Sequence, residues 1–304
     1  MSLADAILSG DIRALARAAT LIEAQSGAGR ELSRRLFPAT GRALTVGITG
    51  APGAGKSSLV NSLIGAYRAG QNTVGVVAVD PSSPYSHGAL LGDRVRMLEH
   101  HADPGVFIRS MATRGRLGGL AAATMDLVLL LDAAGRHVIL IETVGVGQDE
   151  IDIAHLAGVT IVVLTPGAGD DIQALKAGIL EVADIIVINK ADLPGADRLH
   201  DQIVEAQTLL DSNPAVHAPV CKTSTMTREG IAALIELIKT RSRAPTVETW
   251  AHRLRLKLRD DLLSDLPAGL LARHAQNVSE KIEDPDSAIM ALKAELLERR
   301  KHGN

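Results

Sequence analysis

Gly50-Ala51-Pro52-Gly53-Ala54-Gly55-Lys56-Ser57 completes the pattern G-x-x-x-x-G-K-S. The apolar run Ala43-Leu44-Thr45-Val46-Gly47-Ile48-Thr49 leads into it, and a helical stretch from Leu59 to Tyr67 follows. A strand, a glycine-rich loop and a helix in that order make a phosphate cradle. The glycines let successive N–H groups turn around an anion with no Cβ in the way, and the helix N-terminus adds the positive end of its dipole. The candidate nucleotide contacts are Gly50, Pro52, Gly53, Ala54, Gly55, Lys56, Ser57 and Ser58. Lys56 has the reach for β- and γ-phosphate oxygens, and the Ser57 hydroxyl suits one position on Mg²⁺.

Working outward, apolar runs alternate with helical patterns. Strands are expected at Leu44–Thr49, Val74–Val79, Val106–Arg109, His137–Ile141, Thr160–Leu164, Asp184–Ile188 and His217–Cys221. Near-continuous Val, Ile and Leu runs imply strands buried on both faces. The fold class is therefore α/β, a P-loop NTPase with a mostly parallel central sheet flanked by helices. Ligands of such sheets sit at the carboxyl ends of the strands. One such end carries Asn189-Lys190-Ala191-Asp192, the N-K-x-D pattern that reads guanine. Guanine presents N1–H and N2–H side by side, and one ionised carboxylate, here Asp192, accepts both. Adenine has no such donor pair, so a site built this way rejects ATP. Ser224 and Thr225, after the apolar stretch Ala218–Cys221, fit a last loop that supports the base through its backbone.

Bulk composition excludes several classes. The chain has 304 residues, a net charge of −3 and no sustained basic block, so nucleic acid is not an expected partner. Aromatic residues are only 2% of the chain, too few for a base-stacking platform. No apolar run has the length of a membrane span, and the first residues do not resemble a secretory signal. The single cysteine, Cys221, lies in an apolar strand and reads as a small buried hydrophobe. A cytoplasmic location is the default expectation.

Acidic residues stand where a metal would be. Asp80 ends the second strand, Glu142 ends the fourth in Glu142-Thr143-Val144-Gly145, and Asp93 follows in Gly92-Asp93-Arg94. Mg²⁺ keeps several waters and takes one or two carboxylates, so these three are alternatives as much as a set. Val146 stands where Ras-like switches have the glutamine that orients the attacking water. Slow intrinsic hydrolysis, accelerated by a partner, is expected. Arg94, Arg96, Arg109, Arg114 and Arg116 are the nearby candidates for an arginine finger, and Gln148 for a substitute glutamine.

Taken together these stretches resemble the MeaB/ArgK family of P-loop GTPases. The likeness lies in Thr49–Ser58, Val79–Ser83, Asp93–Met97, Glu142–Glu150, Pro166–Gly178 and Asn189–Asp192, and in the early run Ser9–Leu15. It implies GTP/GDP and Mg²⁺ as cofactors, and switch loops carrying Asp80, Asp93, Glu142 and Lys176. Lys56, Glu142 and Lys176 become the catalytic candidates, and Ser57, Asp80, Asp93 and Glu142 the metal candidates. The resemblance further implies a chaperone of an adenosylcobalamin-dependent acyl-CoA mutase of the methylmalonyl-CoA mutase type, and a homodimer formed through C-terminal helices. Three domains are expected: a helical extension over residues 1–40, broken at Ser9-Gly10-Asp11, the GTPase domain over 41–243 and a helical dimerisation arm over 244–304. On the arm, Trp250, Leu254, Leu258 and Leu262 form an i, i+4 stripe. Alternative readings are a nickel-delivery GTPase for hydrogenase or urease, a transport-associated nucleotide-dependent kinase, and a scaffold that binds nucleotide without turnover.

Overall fold

A computed structural model gives the fold and describes residues 2–80, 100, 102–112, 119–143, 149–167, 179–211, 213–264 and 266–302. The chain begins with three helices, α1 (Leu3–Leu8), α2 (Ile12–Glu23) and α3 (Gly27–Leu36). The expected break at Ser9-Gly10-Asp11 is present: Gly10 takes a φ of +89°, and the Asp11 carboxylate caps α2 by accepting from the N–H groups of Arg13 and Ala14.

Then strands and helices alternate. They are β1 (Leu44–Thr49), α4 (Lys56–Ala69), β2 (Val74–Asp80), β3 (Val106–Ala112), α5 (Gly119–Ala133), β4 (Val138–Glu142), α6 (Asp149–Leu156), β5 (Val159–Leu164), β6 (Ile185–Ile188), α7 (Ala196–Leu210), β7 (Val220–Lys222) and α8 (Ile231–Arg241). All seven strands lie within two or three residues of their expected ends. They form one sheet in the order β3-β2-β4-β1-β5-β6-β7, every pairing parallel.

Alternate residues of each strand feed opposite faces. Val74, Val76, Val138 and Leu140 join Leu59 and Leu63 of α4 in one core, while Val77, Val79, Ile139 and Ile141 join Leu127 and Leu131 of α5 in another. The second core also takes Leu15, Ala18 and Ile22 of α2. The N-terminal helices therefore share a core with the sheet. Their attachment is reinforced by Asp132 of α5, whose carboxylate accepts from the backbone N–H groups of Gly41, Arg42 and Ala43 at 2.5, 3.1 and 3.0 Å.

The C-terminal part is helical: α9 (Val247–Ser264), α10 (Ala268–Ser279) and α11 (Pro285–His302). The chain divides into two compact units, Met1–Arg253 and Leu254–Asn304. The buried side of α9 lies beside the leucine stripe expected as an intersubunit surface. Arg253, Leu256 and Asp260 are buried, whereas Leu254 and Leu258 are 62% and 57% exposed. Spacing of four drifts around a helix of 3.6 residues per turn, and the side chain drawn inward first is Arg253, whose guanidinium serves backbone carbonyls of α6. Within the second unit His274 is buried and pairs with Glu283 at 2.8 Å, and Arg273 pairs with Glu295 at 2.6 Å.

Candidate functional site

β1 delivers the glycine-rich loop and α4 leaves it. Gly50, Gly53 and Gly55 take φ of +137°, +81° and +89°, a region that L side chains rarely enter. Space forbids a side chain at two of them. A Cβ on Gly50 would stand 2.1 Å from the Val163 carbonyl oxygen, and one on Gly55 would stand 2.4 Å from Asn189 Nδ2. The loop is thus pressed against the neighbouring strand ends, with its remaining surface facing a cleft of about 520 Å³ at the carboxyl ends of β1, β2 and β4. Pro52, Gly53, Lys56, Ser57, Ser58 and Glu142 are among the residues that line it. Lys56 Nζ donates to the carbonyls of Gly50 at 2.7 Å and Ala51 at 3.0 Å, so its ammonium lies across the loop.

Ser57 and Glu142, far apart in sequence, meet here. The Ser57 hydroxyl donates to Glu142 Oε1 at 2.6 Å, and both residues are buried. The parallel register of β1 and β4 puts Glu142 level with Ile48, one residue short of the strand's end. The next residue extends the match: Thr143 N–H donates to Ile48 O, and the Thr143 hydroxyl donates to that of Thr49, both at 3.1 Å. A hydroxyl and a carboxylate held this close are hard oxygen donors of the kind Mg²⁺ takes, so the donor set fits that ion. Asp80 ends β2, and its side chain lies outside the described residues, as do Asp93 and Lys176. Val146, Gln148, Arg94, Arg96, Arg114 and Arg116 also fall outside them. Arg109 is described: on β3, it pairs with Glu23 of α2 and reaches Thr20.

The base side is built around β6 and β7. Asn189 has no exposure, and its Nδ2 donates to Ala54 O at 3.0 Å while its Oδ1 accepts from the Thr223 hydroxyl at 3.3 Å. Lys190, with a φ of +56°, donates through Nζ to Gly53 O at 2.9 Å. These two residues tie the loop that follows β6 to the phosphate loop. Asp192 is exposed on the turn beyond them. That turn is fixed from the other side, since Ala191 N–H donates to Thr223 O and Thr223 N–H to Ile188 O. Ser224 is buried, its hydroxyl accepting from Thr227 N–H at 3.3 Å, and Thr225 is half-buried beside it.

Thr223 lies in the last loop, Lys222–Thr225, that the sequence assigns to the base, but its bond to Asn189 and the roles of Thr49 and Thr143 are not visible in the sequence. A buried threonine at a strand end looks like any other β-branched residue until its partner is known. Cys221 is buried as expected, and burial pushes its thiol pKa up.

A model of the family described as methylmalonyl-CoA mutase-associated GTPase MeaB matches residues 15–273. The chain belongs to the MeaB/ArgK family of P-loop GTPases. A Pyrococcus abyssi protein, provisionally named a GTPase, is 43% identical over 304 residues, covering 95% of this chain and 94% of that one. The GTPase ArgK of Escherichia coli is 43% identical over 188 residues, covering 60% of this chain and 56% of that protein. The methylmalonic aciduria type A homolog of Mus musculus is 36% identical over 251 residues, 77% of this chain and 60% of that protein. In fold, the chain matches a crystal structure of an LAO/AO transport system kinase with a TM-score of 0.67 at 24% identity, over 97% of this chain and 96% of that one. As a MeaB-family GTPase the protein binds guanine nucleotide and hydrolyses GTP. No helix among its described residues is long and apolar enough to cross a membrane.

Proposed function

We propose that this MeaB-family GTPase is a nucleotide-gated chaperone of an adenosylcobalamin-dependent acyl-CoA mutase of the methylmalonyl-CoA mutase type. In this reading its cycle gates cofactor loading and protects the mutase, in the cytoplasm. The observation that carries the reading is the match over residues 15–273 to a family described by its association with methylmalonyl-CoA mutase. The mouse relative's name points the same way.

The geometry supports the following roles for the site. The loop Gly50–Gly55 receives the phosphates on its N–H groups, and Lys56 turns from the Gly50 and Ala51 carbonyls to the β- and γ-oxygens. A cation so placed gains most where negative charge grows in the transition state, as water adds to the γ-phosphorus and the bond to the β,γ-bridging oxygen breaks. Mg²⁺ would supply charge neutralisation for the phosphates. Ser57 and Glu142 would hold it, with Asp80 and Asp93 as further candidate carboxylates. Asp192 reads the base, and the Asn189–Thr223 contact holds the base loop in register with the phosphate loop. Lys176 is assigned to the switch by resemblance alone. Turnover is slow without a partner, since valine at position 146 cannot orient water.

A homodimer through the helices after Pro245 belongs to the same proposal. Leu254, Leu258, Leu271, Ile289 and Leu297 leave apolar surface on that segment.

The test is copurification of the full-length protein with candidate cobalamin-dependent mutases, in GDP and in a non-hydrolysable GTP analogue. A nucleotide-dependent complex with a mutase is the expected outcome. Binding to none of them in either state, with GTP hydrolysis intact, overturns the chaperone reading and leaves the GTPase.

A further inference from the structure

The far end of α6 is held by a residue that nucleotide binding does not account for. Arg253, on α9, is only 6% exposed. Its Nε donates to His155 O at 2.7 Å and its Nη2 to Leu156 O at 2.9 Å. These are closing carbonyls of α6, which a helix leaves without partners of its own, at the negative end of its dipole. The same guanidinium lies 4.9 Å over the ring of Trp250. Trp250 in turn meets Phe37 edge-on at 5.8 Å, and the ring of His252 stacks on His155 at 3.6 Å. All of these residues lie within the first compact unit. Burial holds the Arg253 pKa below the ordinary arginine value, the mark of a cation taken out of water to serve backbone oxygens and a π face.

α6 is the first helix after Glu142 and Thr143, joined to them by residues 144–148. Its middle is seated on β1 at Gly47, where a Cβ would stand 2.8 Å from Ile153 Cγ1 and 3.0 Å from the Ala157 Cβ. Its exit is tied to the same strand, as Gly158 N–H donates to Thr45 Oγ1 at 2.8 Å. From Ile153 onward the helix is thus held against β1, where close packing leaves little room for its end to shift independently. Its last carbonyls cannot shift without carrying the guanidinium, and the guanidinium cannot shift without changing what Trp250 faces.

We propose that Arg253 is a positioning residue for GTP hydrolysis, fixing the far end of the helix that follows Glu142 and linking the nucleotide state to Trp250 at the root of α9. This rests on the reading of Glu142 and the phosphate loop as the GTP site.

Trp250 is the only tryptophan, so the full-length protein carries its own probe. Its emission is recorded with GDP and with a non-hydrolysable GTP analogue, and binding of each nucleotide is measured separately by calorimetry. In the wild type the two spectra are expected to differ. Arg253→Gln should bind GDP as the wild type does, lose the spectral difference, and lose up to about 100-fold in kcat with KM unchanged, the scale of a misplaced catalytic group. Arg253→Lys keeps the charge and can serve one carbonyl, so it should fall between. Identical wild-type spectra, with calorimetry showing both nucleotides bound, overturn the proposal, and so does an Arg253→Gln protein that keeps the difference. If Arg253→Gln does not fold by circular dichroism, the wild-type spectra and Arg253→Lys still decide. Absence of guanine-nucleotide binding by calorimetry defeats the GTP-site reading instead, a distinct result.

Discussion

Lys56 shows how much one residue can hold in reserve. Its ammonium is bonded to two loop carbonyls, and those bonds must be exchanged for phosphate oxygens when nucleotide enters. Lys56→Ala should lower single-turnover hydrolysis by about 100-fold or more, the cost of removing a preorganised donor from developing charge. A rate near that of the wild type would remove Lys56 from the mechanism. At Asp192 the expected change is in selectivity. Asp192→Asn presents an amide donor to a 2-keto group, so affinity should pass from GTP to xanthosine triphosphate, as read by dissociation constants for the two nucleotides. Wild-type protein that binds ATP as tightly as GTP would contradict the assignment. Both residues are candidates by sequence alone, because each sits in a pattern whose chemistry is local. The side-chain bonds of Thr49, Thr143 and Thr223 are not so written, since each partner stands some 30 to 90 positions away.

At the scale of elements, β1 is constrained along its whole length. Gly47 admits Ile153 of α6, and Gly50 admits the end of β5. Gly47→Val places methyl groups where Ile153 and Ala157 already are, and urea unfolding should show a loss of at least about 1–3 kcal/mol. An unchanged midpoint would mean that α6 is not seated where the structure puts it. Asp132 of α5 tests the join between the N-terminal helices and the sheet. Asp132→Ala leaves the N–H groups of Gly41, Arg42 and Ala43 without their acceptor, and stability should fall by about 3 kcal/mol by the same measurement. The strands themselves were legible, since short continuous runs of Val and Ile bounded by turn residues are what a strand buried on both faces requires. The three helices before residue 40 read as one helical region with a break. The second break was not legible, though Gly27 and Gly29 stand there, and Gly29 is required because a Cβ would lie 2.4 Å from Leu21 O.

At the scale of the molecule, the first unit contains every nucleotide motif, together with Trp250 and Arg253. A chain ending after Arg253 should therefore bind GDP, and if the proposed pairing uses the later helices it should sediment as a monomer while the full-length protein sediments as a dimer. A full-length monomer at micromolar concentration would overturn the pairing.

The phosphate loop, the N-K-x-D turn, the parallel sheet and the family are legible before any fold is known, because each is written in contiguous residues or in a repeating apolar pattern. Only the tertiary structure decided which side chains meet across the sheet: Ser57 with Glu142, Asn189 with Ala54 and Thr223, and Arg253 with the closing carbonyls of α6. It also decided which face of α9 is buried. The reason is physical. A backbone conformation is set by near neighbours, whereas a buried polar group takes whatever partner the packing brings to it, and that partner has no fixed place along the chain.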